Sequence, residues 1–102
     1  MIIYNVTINI EDDVRDTWVK WMMETHIPQV MRTGLFSDYS FNRLLTRQED
    51  ETGTTYVIQY FANNMEDYER YQADHAPGLQ AETKKHFEGK FVAFRTIMEQ
   101  VN

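Results

Sequence analysis

The chain has 102 residues, which is room for one small domain (1–102) with a single hydrophobic core. Its 10 basic residues against 16 acidic residues give a formal charge of -6, which argues against nucleic acid or an anionic membrane surface as a partner. Cysteine is absent, so disulfides, thiol nucleophiles and cysteine metal sites are excluded, and we expect a cytoplasmic protein.

The apolar pattern predicts six elements. Apolar and polar residues alternate from Ile2 to Ile10 and predict the first strand. The acidic run 11–13 supplies a candidate cap for a first helix, expected from about Val14 to Gly34. A second strand is expected over 36–47 and a third over 54–62, joined by a hairpin loop over 48–53 with Gly53 at a positive φ. A second helix follows over 65–87, capped by Asn63 or Asn64 and ended by Gly89. A fourth strand over 90–101 completes the domain.

The βαββαβ order predicts a ferredoxin-like α+β fold, with a four-stranded antiparallel sheet and both helices on one face. The other face of such a sheet normally meets water and is polar. Strands three and four are each apolar on both faces. In strand three Tyr56, Ile58 and Tyr60 point one way and Val57 and Phe61 the other, and in strand four Phe91, Ala93 and Ile97 oppose Val92, Phe94 and Met98. We therefore predict a homodimer formed through the sheet face. The alternative is that these residues are scattered surface positions or lie under loops.

The first helix is apolar over a wider arc than one sheet contact requires. Trp18 and Met22 are the central members of this surface. Packing in the core, against the sheet and a partner or loop, is the simpler interpretation. The other interpretation is a pocket for an apolar or aromatic small molecule, because aromatic and methionine side chains adapt well to such ligands.

Each helix carries a His-x-Pro sequence, at His26 with Pro28 and at His75 with Pro77. Proline inside a helix removes a hydrogen bond and forces a bend or a restart. An imidazole beside the freed carbonyl can act as a general acid or base, so both histidines are candidate catalytic residues. Each could instead only satisfy the broken backbone. Tyr68 and Tyr71 share a helix face with His75.

Residues 68–79 (YERYQADHAPGL), taken with the βαββαβ order, resemble the dimeric α+β barrel superfamily, which includes cofactor-free antibiotic-biosynthesis-type monooxygenases. Residues 18–22 (WVKWM), 26–28 (HIP) and 33–36 (TGLF) are similar to a small bacterial family of unknown function within that superfamily. The resemblance implies a dimer with facing sheets and a cleft for an aromatic ligand. Haem-degrading relatives use an Asn on the first strand with a Trp and a His on the second helix. Asn5 and His75 match two of these loosely, with Tyr71 as the aromatic, so haem is a secondary hypothesis.

The leading hypothesis is a dimeric small-molecule-binding protein, with a cofactor-free oxygenase-like or isomerase-like activity. Its cleft would be lined by Trp18, Met22, Tyr71 and His75, with Tyr68 and Asn5 as further ligand-binding candidates. No cofactor is expected, and no metal, since the three histidines lack metal-ligand spacing. The alternative is a noncatalytic interaction or regulatory module.

Overall fold

The computed structural model describes residues 1–47 and 49–102; Gln48, part of the predicted hairpin loop, lies outside the described residues. The elements in chain order are β1 (Ile2–Ile10), a 3-10 turn (Asp12–Val14), α1 (Arg15–Trp21), a π-helical turn (Met22–His26), α2 (Ile27–Arg32), β2 (Asp38–Arg43), β3 (Thr54–Ala62), α3 (Met65–Asp74), α4 (Ala76–Phe87) and β4 (Phe91–Glu99). The predicted ferredoxin-like α+β fold is confirmed. None of the described helices is long and apolar enough to cross a membrane.

The sheet has the strand order β2-β3-β1-β4, and all its pairs are antiparallel. Val6 in β1 lies opposite Ile58 in β3 and Arg95 in β4, and cross-strand partners share a face. One side, here called the helix face, carries the even residues of β1 and β3 and the odd residues of β2 and β4. The other side, the outer face, carries the remaining strand residues. The helices bury the helix face of β1 almost completely, from Ile2 to Ile10.

Strands β2 and β4 are shorter than their sequence patterns predict. Strand β2 covers Asp38–Arg43 instead of 36–47, because Leu35 and Phe36 turn into the core and β3 begins only at Thr54. Strand β4 ends at Glu99, opposite Ile2, where β1 itself begins. Just past these limits single backbone hydrogen bonds remain, from the Leu44 N–H to the Thr55 carbonyl oxygen and from the Gln100 N–H to the Met1 carbonyl oxygen.

Only one of the two predicted helix caps forms. The Asn64 side chain accepts a hydrogen bond from the Asp67 backbone N–H at 2.8 Å, as expected for a cap. The acidic run 11–13 caps nothing, since the Glu11 side chain makes no capping hydrogen bond. Instead, Lys90 Nζ lies 2.8 Å from Asp13 Oδ2, and this hydrogen bond from Lys90 lowers the pKa of Asp13. The acidic run thus connects the start of the first helix to the start of β4.

The two prolines produce two different breaks. Pro28 lies at the start of α2, directly after the π-helical turn, so the first helix continues past its proline with one widened turn. The second helix is interrupted at His75, whose φ of -124° and ψ of -40° are not helical, and α4 restarts with Pro77 in its first turn. The predicted restart occurs at Pro77, whereas at Pro28 the helix continues through the widened turn.

Gly53 is a position where only glycine fits. Its φ is +74°, and an added Cβ would lie 2.6 Å from Asn9 Oδ1 and 2.7 Å from the Ile10 carbonyl oxygen. We expect Gly53→Ala to lower the free energy of unfolding by about 2 kcal/mol or more, through backbone strain plus the clash. Gly34, with a φ of +76° and open space around it, is the matched control. Gly34→Ala should cost only about 1 kcal/mol in the same urea denaturation experiment. Equal losses would contradict the assigned clash.

Candidate functional site

A small cavity lies between the helices and the helix face of the sheet. Its volume is about 30 Å³, room for about two water molecules. Met22, Leu79 and residues of β1 and β3 form its apolar wall. Its polar lining consists of Tyr60, Tyr71, His26, Gln80, Thr83 and Arg95. The cavity therefore combines an aromatic and aliphatic wall with a few converging polar groups, which is the usual composition of a ligand site.

The cavity reaches the surface between α4 and β4. Leu79, Gln80 and Thr83 of α4 line it on one side and Arg95 of β4 on the other. Beyond Arg95 the helices leave the helix face of β4 uncovered, and Ile97 is 42% exposed. We call the cavity together with the exposed helix-face residues Arg95 and Ile97 the α4–β4 cleft. The cleft is closed at its inner end and open along the edge strand.

His26 stands on the wall of this cavity with an unused ring nitrogen. Its Nδ1 is buried and has no hydrogen-bond partner among the described residues, and its ring stacks on Trp21 at 5.1 Å between centroids. Burial, with a smaller contribution from the Arg95 charge, lowers the pKa of His26 to about 4. The imidazole is therefore neutral near pH 7 and can accept or donate one further hydrogen bond. His26 ends the π-helical turn, a type of irregularity that is frequent at functional sites.

Tyrosines supply the hydroxyl groups of the cavity. Burial raises the pKa of both Tyr60 and Tyr71, and neighbouring tyrosines add to the effect. Both side chains are therefore neutral phenols near pH 7, which can donate a hydrogen bond but do not act as bases. Their rings belong to an aromatic cluster with Phe36 and Tyr4, in which Tyr71 lies 4.9 Å from Phe36. This cluster fixes the inner end of the cavity.

The structure brings together three of the predicted site residues and leaves Trp18 outside. Met22, His26 and Tyr71 line the cavity. Trp18, predicted as a cleft residue, is fully buried one helical turn away, 5.1 Å from Tyr56 and 5.7 Å from Phe41 between ring centroids. It does not line the cavity and is a core residue of the β2–β3 side.

His75 and Tyr68 lie behind the cavity wall. The His75 ring is half-buried and stacks on Tyr71 at 6.2 Å, outside the set of residues that line the cavity. Tyr68 is half-buried and packs on Tyr4 at 5.4 Å. Both residues can position Tyr71 and Tyr4, but in this conformation neither contacts the cavity itself.

Asn5 requires a correction. It occupies an odd position of β1 and therefore faces the outer side of the sheet, away from Tyr71 and His75. There its side chain donates to Thr7 Oγ1 and accepts from Gln59 Nε2, both at 3.3 Å. The combination of Asn5 with His75 that suggested haem is thus divided by the sheet. The described residues also hold no group of three His, Asp or Glu side chains placed to bind a metal ion.

Sequence reasoning missed Arg95, Gln80 and Thr83. Gln80 and Thr83 are ordinary polar residues of a helical segment, and nothing in the sequence marks them as site residues. Arg95 does give a signal, because it is a charged residue between the apolar residues Ala93 and Ile97 on the helix face. This charge lies where β4 passes from half-buried residues to exposed ones, and it marks where the cleft opens.

Comparison with solved structures identifies the fold at low sequence identity. An ethyl tert-butyl ether d (EthD) family protein from Bacillus halodurans matches with a TM-score of 0.72 and 12% identity over 99% of this chain and 100% of that chain. A variant of SnoaB, a cofactor-independent oxygenase from Streptomyces nogalater, matches with a TM-score of 0.63 and 10% identity over 99% and 93%. A dimeric ferredoxin-like protein from an uncultured marine organism matches with a TM-score of 0.67 and 14% identity over 99% and 97%. The resemblance to antibiotic-biosynthesis-monooxygenase-like proteins is confirmed for the fold.

Sequence comparison adds the family. A search of curated proteins gives no significant match. One family model covers residues 1–101, nearly the whole chain. The chain therefore belongs to the DUF4286 family, a domain of unknown function.

Proposed function

We propose that this chain forms a homodimer that binds a small apolar or aromatic molecule in the α4–β4 cleft of each protomer. The observation that carries the proposal is the composition of the cleft, where a neutral buried imidazole, two neutral phenols and one guanidinium converge on an apolar wall. A cavity volume of about 30 Å³ is too small for an organic ligand, since ligand pockets hold roughly 300 Å³ or more. A ligand must therefore also occupy the exposed strip of β4 and displace Leu79 or Gln80.

We further propose a cofactor-free oxygenase-like or isomerase-like reaction. Both reaction types begin with removal of a proton from a carbon or oxygen next to a conjugated carbonyl group. His26 Nδ1 can take this proton in the tautomer that carries hydrogen on Nε2, and the electron pair left on the substrate forms an enolate. The negative charge of the enolate stabilises the buried imidazolium and therefore raises the pKa of His26 while the intermediate exists. The match to SnoaB supports the proposed oxygenase-like reaction only through the shared fold.

The dimer is proposed to form through the outer face. Three apolar side chains of β4 stand exposed there, with Phe94 at 66%, Val92 at 57% and Met98 at 41% of their full accessible area. Exposed apolar residues in a row on one face favour a symmetric interface with a second copy. One of the matched structures is described as dimeric. We place this homodimer in the cytoplasm, in keeping with a chain that has no cysteine.

We expect Phe94→Asp to weaken dimerisation about thirtyfold or more, because it puts a charge at the centre of the apolar row. Light scattering at micromolar concentration should give a dimer mass for the wild-type chain and a monomer mass for the variant. Met23→Asp is the control, since Met23 is 62% exposed but lies in the first helix, which covers the opposite face of the sheet. A monomeric wild-type chain would contradict the dimer.

Ligand binding is tested by a thermal-shift screen with aromatic metabolites and with haem. A ligand at about one hundred times its Kd adds roughly 2.7 kcal/mol to the folded state, which gives a measurable rise in Tm. Hits should lose their effect in His26→Gln and keep it in Thr17→Ala, an exposed control on α1. If no compound raises the Tm, the small-molecule proposal fails.

The alternative function is a noncatalytic interaction module, which the exposed outer face favours. In that case substitutions in the α4–β4 cleft should leave binding of the protein partner unchanged. A defined protein partner would then compete for the apolar row of β4 and lose its binding to Phe94→Asp.

A further inference from the structure

We propose that the α4–β4 cleft selects an organic anion, a small aromatic carboxylate whose charged oxygens lie against the Arg95 guanidinium. This inference rests on the proposed small-molecule function of the cleft and names the class of ligand. It follows from the position of Arg95, from the charges around it and from the shape of the cleft.

Arg95 is a cation with no ion-pair partner among the described residues. Three other basic side chains do pair with carboxylates: Arg15 with Asp12, Arg70 with Glu66 and Lys90 with Asp13. Arg95 makes no hydrogen bond or ion pair within residues 1–47 and 49–102. Its five donors are available to a ligand.

The cavity lining around Arg95 holds no competing negative charge among the described residues. The residues that line the cavity include no Asp or Glu in the described part of the chain, and Arg95 is their one formally charged member. Glu99 is the nearest acidic residue on the helix face of β4, four positions further along, or roughly 13 Å in an extended strand. A carboxylate entering the cleft therefore meets attraction and little repulsion.

The charge of Arg95 reaches the polar groups inside the cavity. It contributes to lowering the pKa of His26 and opposes the burial that raises the pKa of Tyr71. Both effects indicate that the Arg95 guanidinium lies close enough for its charge to act on the side chains of His26 and Tyr71. An anion bound between Arg95 and His26 should reverse the first effect and raise the pKa of His26, whereas a neutral ligand should not.

The shape of the cleft favours a flat aromatic body behind the carboxylate. Leu79 on α4 and Ala93 and Ile97 on β4 provide apolar surfaces on either side of the opening. A planar guanidinium binds a carboxylate through two parallel hydrogen bonds, which also fixes the plane of the attached ring. The ring then points inward, toward Met22 and Tyr71.

The test compares benzoate with benzamide, two probes of similar size that differ in charge. Binding is followed by NMR through the Met22 methyl group and the His26 ring nitrogens. We expect benzoate to bind the wild-type chain about tenfold more tightly than benzamide, and to raise the pKa of His26. The preference should vanish in Arg95→Gln and survive in part in Arg95→Lys. Arg43→Gln is the matched control, because Arg43 is exposed on the same helix face but on the opposite edge strand.

Three results would overturn the inference. If both probes bind the cleft equally, or if Arg95→Gln keeps the preference, the ligand is not selected by charge, and the cleft stands as a site for neutral molecules. If neither probe shifts Met22, the anion inference fails, and the proposed function then depends on neutral hits in the thermal-shift screen.

Discussion

Trp18→Ala is expected to lower the free energy of unfolding by about 3–5 kcal/mol, the largest effect of any single substitution considered for this chain. Trp18 is 0% exposed and packs its ring against Tyr56 and Phe41, where α1 crosses β2 and β3. Removing it leaves a cavity that the rigid sheet cannot close. Urea denaturation followed by circular dichroism measures the loss directly.

Trp18→Phe is the control for this prediction. Phenylalanine keeps most of the ring volume, and the lost Nε1–H has no hydrogen-bond partner in the described residues. We therefore expect a loss of only about 1–2 kcal/mol. A loss below about 1 kcal/mol for Trp18→Ala would show that Trp18 faces a flexible surface or a ligand pocket, against its assignment to the core.

The stability of the chain is expected to rise with pH between about pH 4 and pH 6.5 because of His26. In the folded state its pKa is about 4, whereas the ordinary value of 6.5 applies when the chain is unfolded. Between these values the unfolded chain binds a proton that the folded chain does not, so acid favours unfolding. The contribution is fully present above pH 6.5 and is lost as the pH falls toward 4, by about 3 kcal/mol.

The measurement compares the free energy of unfolding of the wild-type chain and of His26→Gln at a series of pH values. Carboxylates titrate in both proteins, so their effects cancel in the difference. The stability of the wild-type chain relative to His26→Gln should fall by about 3 kcal/mol from pH 7 to pH 4. A constant difference would mean that His26 is accessible to solvent and titrates normally, which would remove the neutral imidazole from the cleft.

The sequence predicted strands well where periodicity and pairing agree. Strands β1 and β3 match their predicted limits, because each is paired along its whole length. Strand β2 was predicted too long at both ends, since Phe36 belongs to the core rather than to the sheet and the strand already ends at Arg43. Local patterns report which residues are apolar but do not report where a neighbouring strand ends.

The candidate site was predictable in part. His26 was found through its proline, and Met22 and Tyr71 through helical spacing. Asn5 was suggested by family resemblance against its own odd position in β1, and the strand alternation proved the better guide. Arg95 was missed because its role depends on the helices leaving β4 uncovered, a property of the tertiary arrangement that strand alternation does not encode.

The most direct test of the cleft as the binding site uses methionine methyl groups as reporters in the intact protein. Met22 lines the cavity, Met98 lies on the outer face, and Met23 is 62% exposed on the far side of the first helix. With ¹³C-methyl-labelled methionine, we predict that a ligand found by the thermal-shift screen shifts the Met22 signal and leaves Met23 and Met98 unchanged. A ligand that shifts Met98 or Met23 while Met22 stays in place would contradict the account.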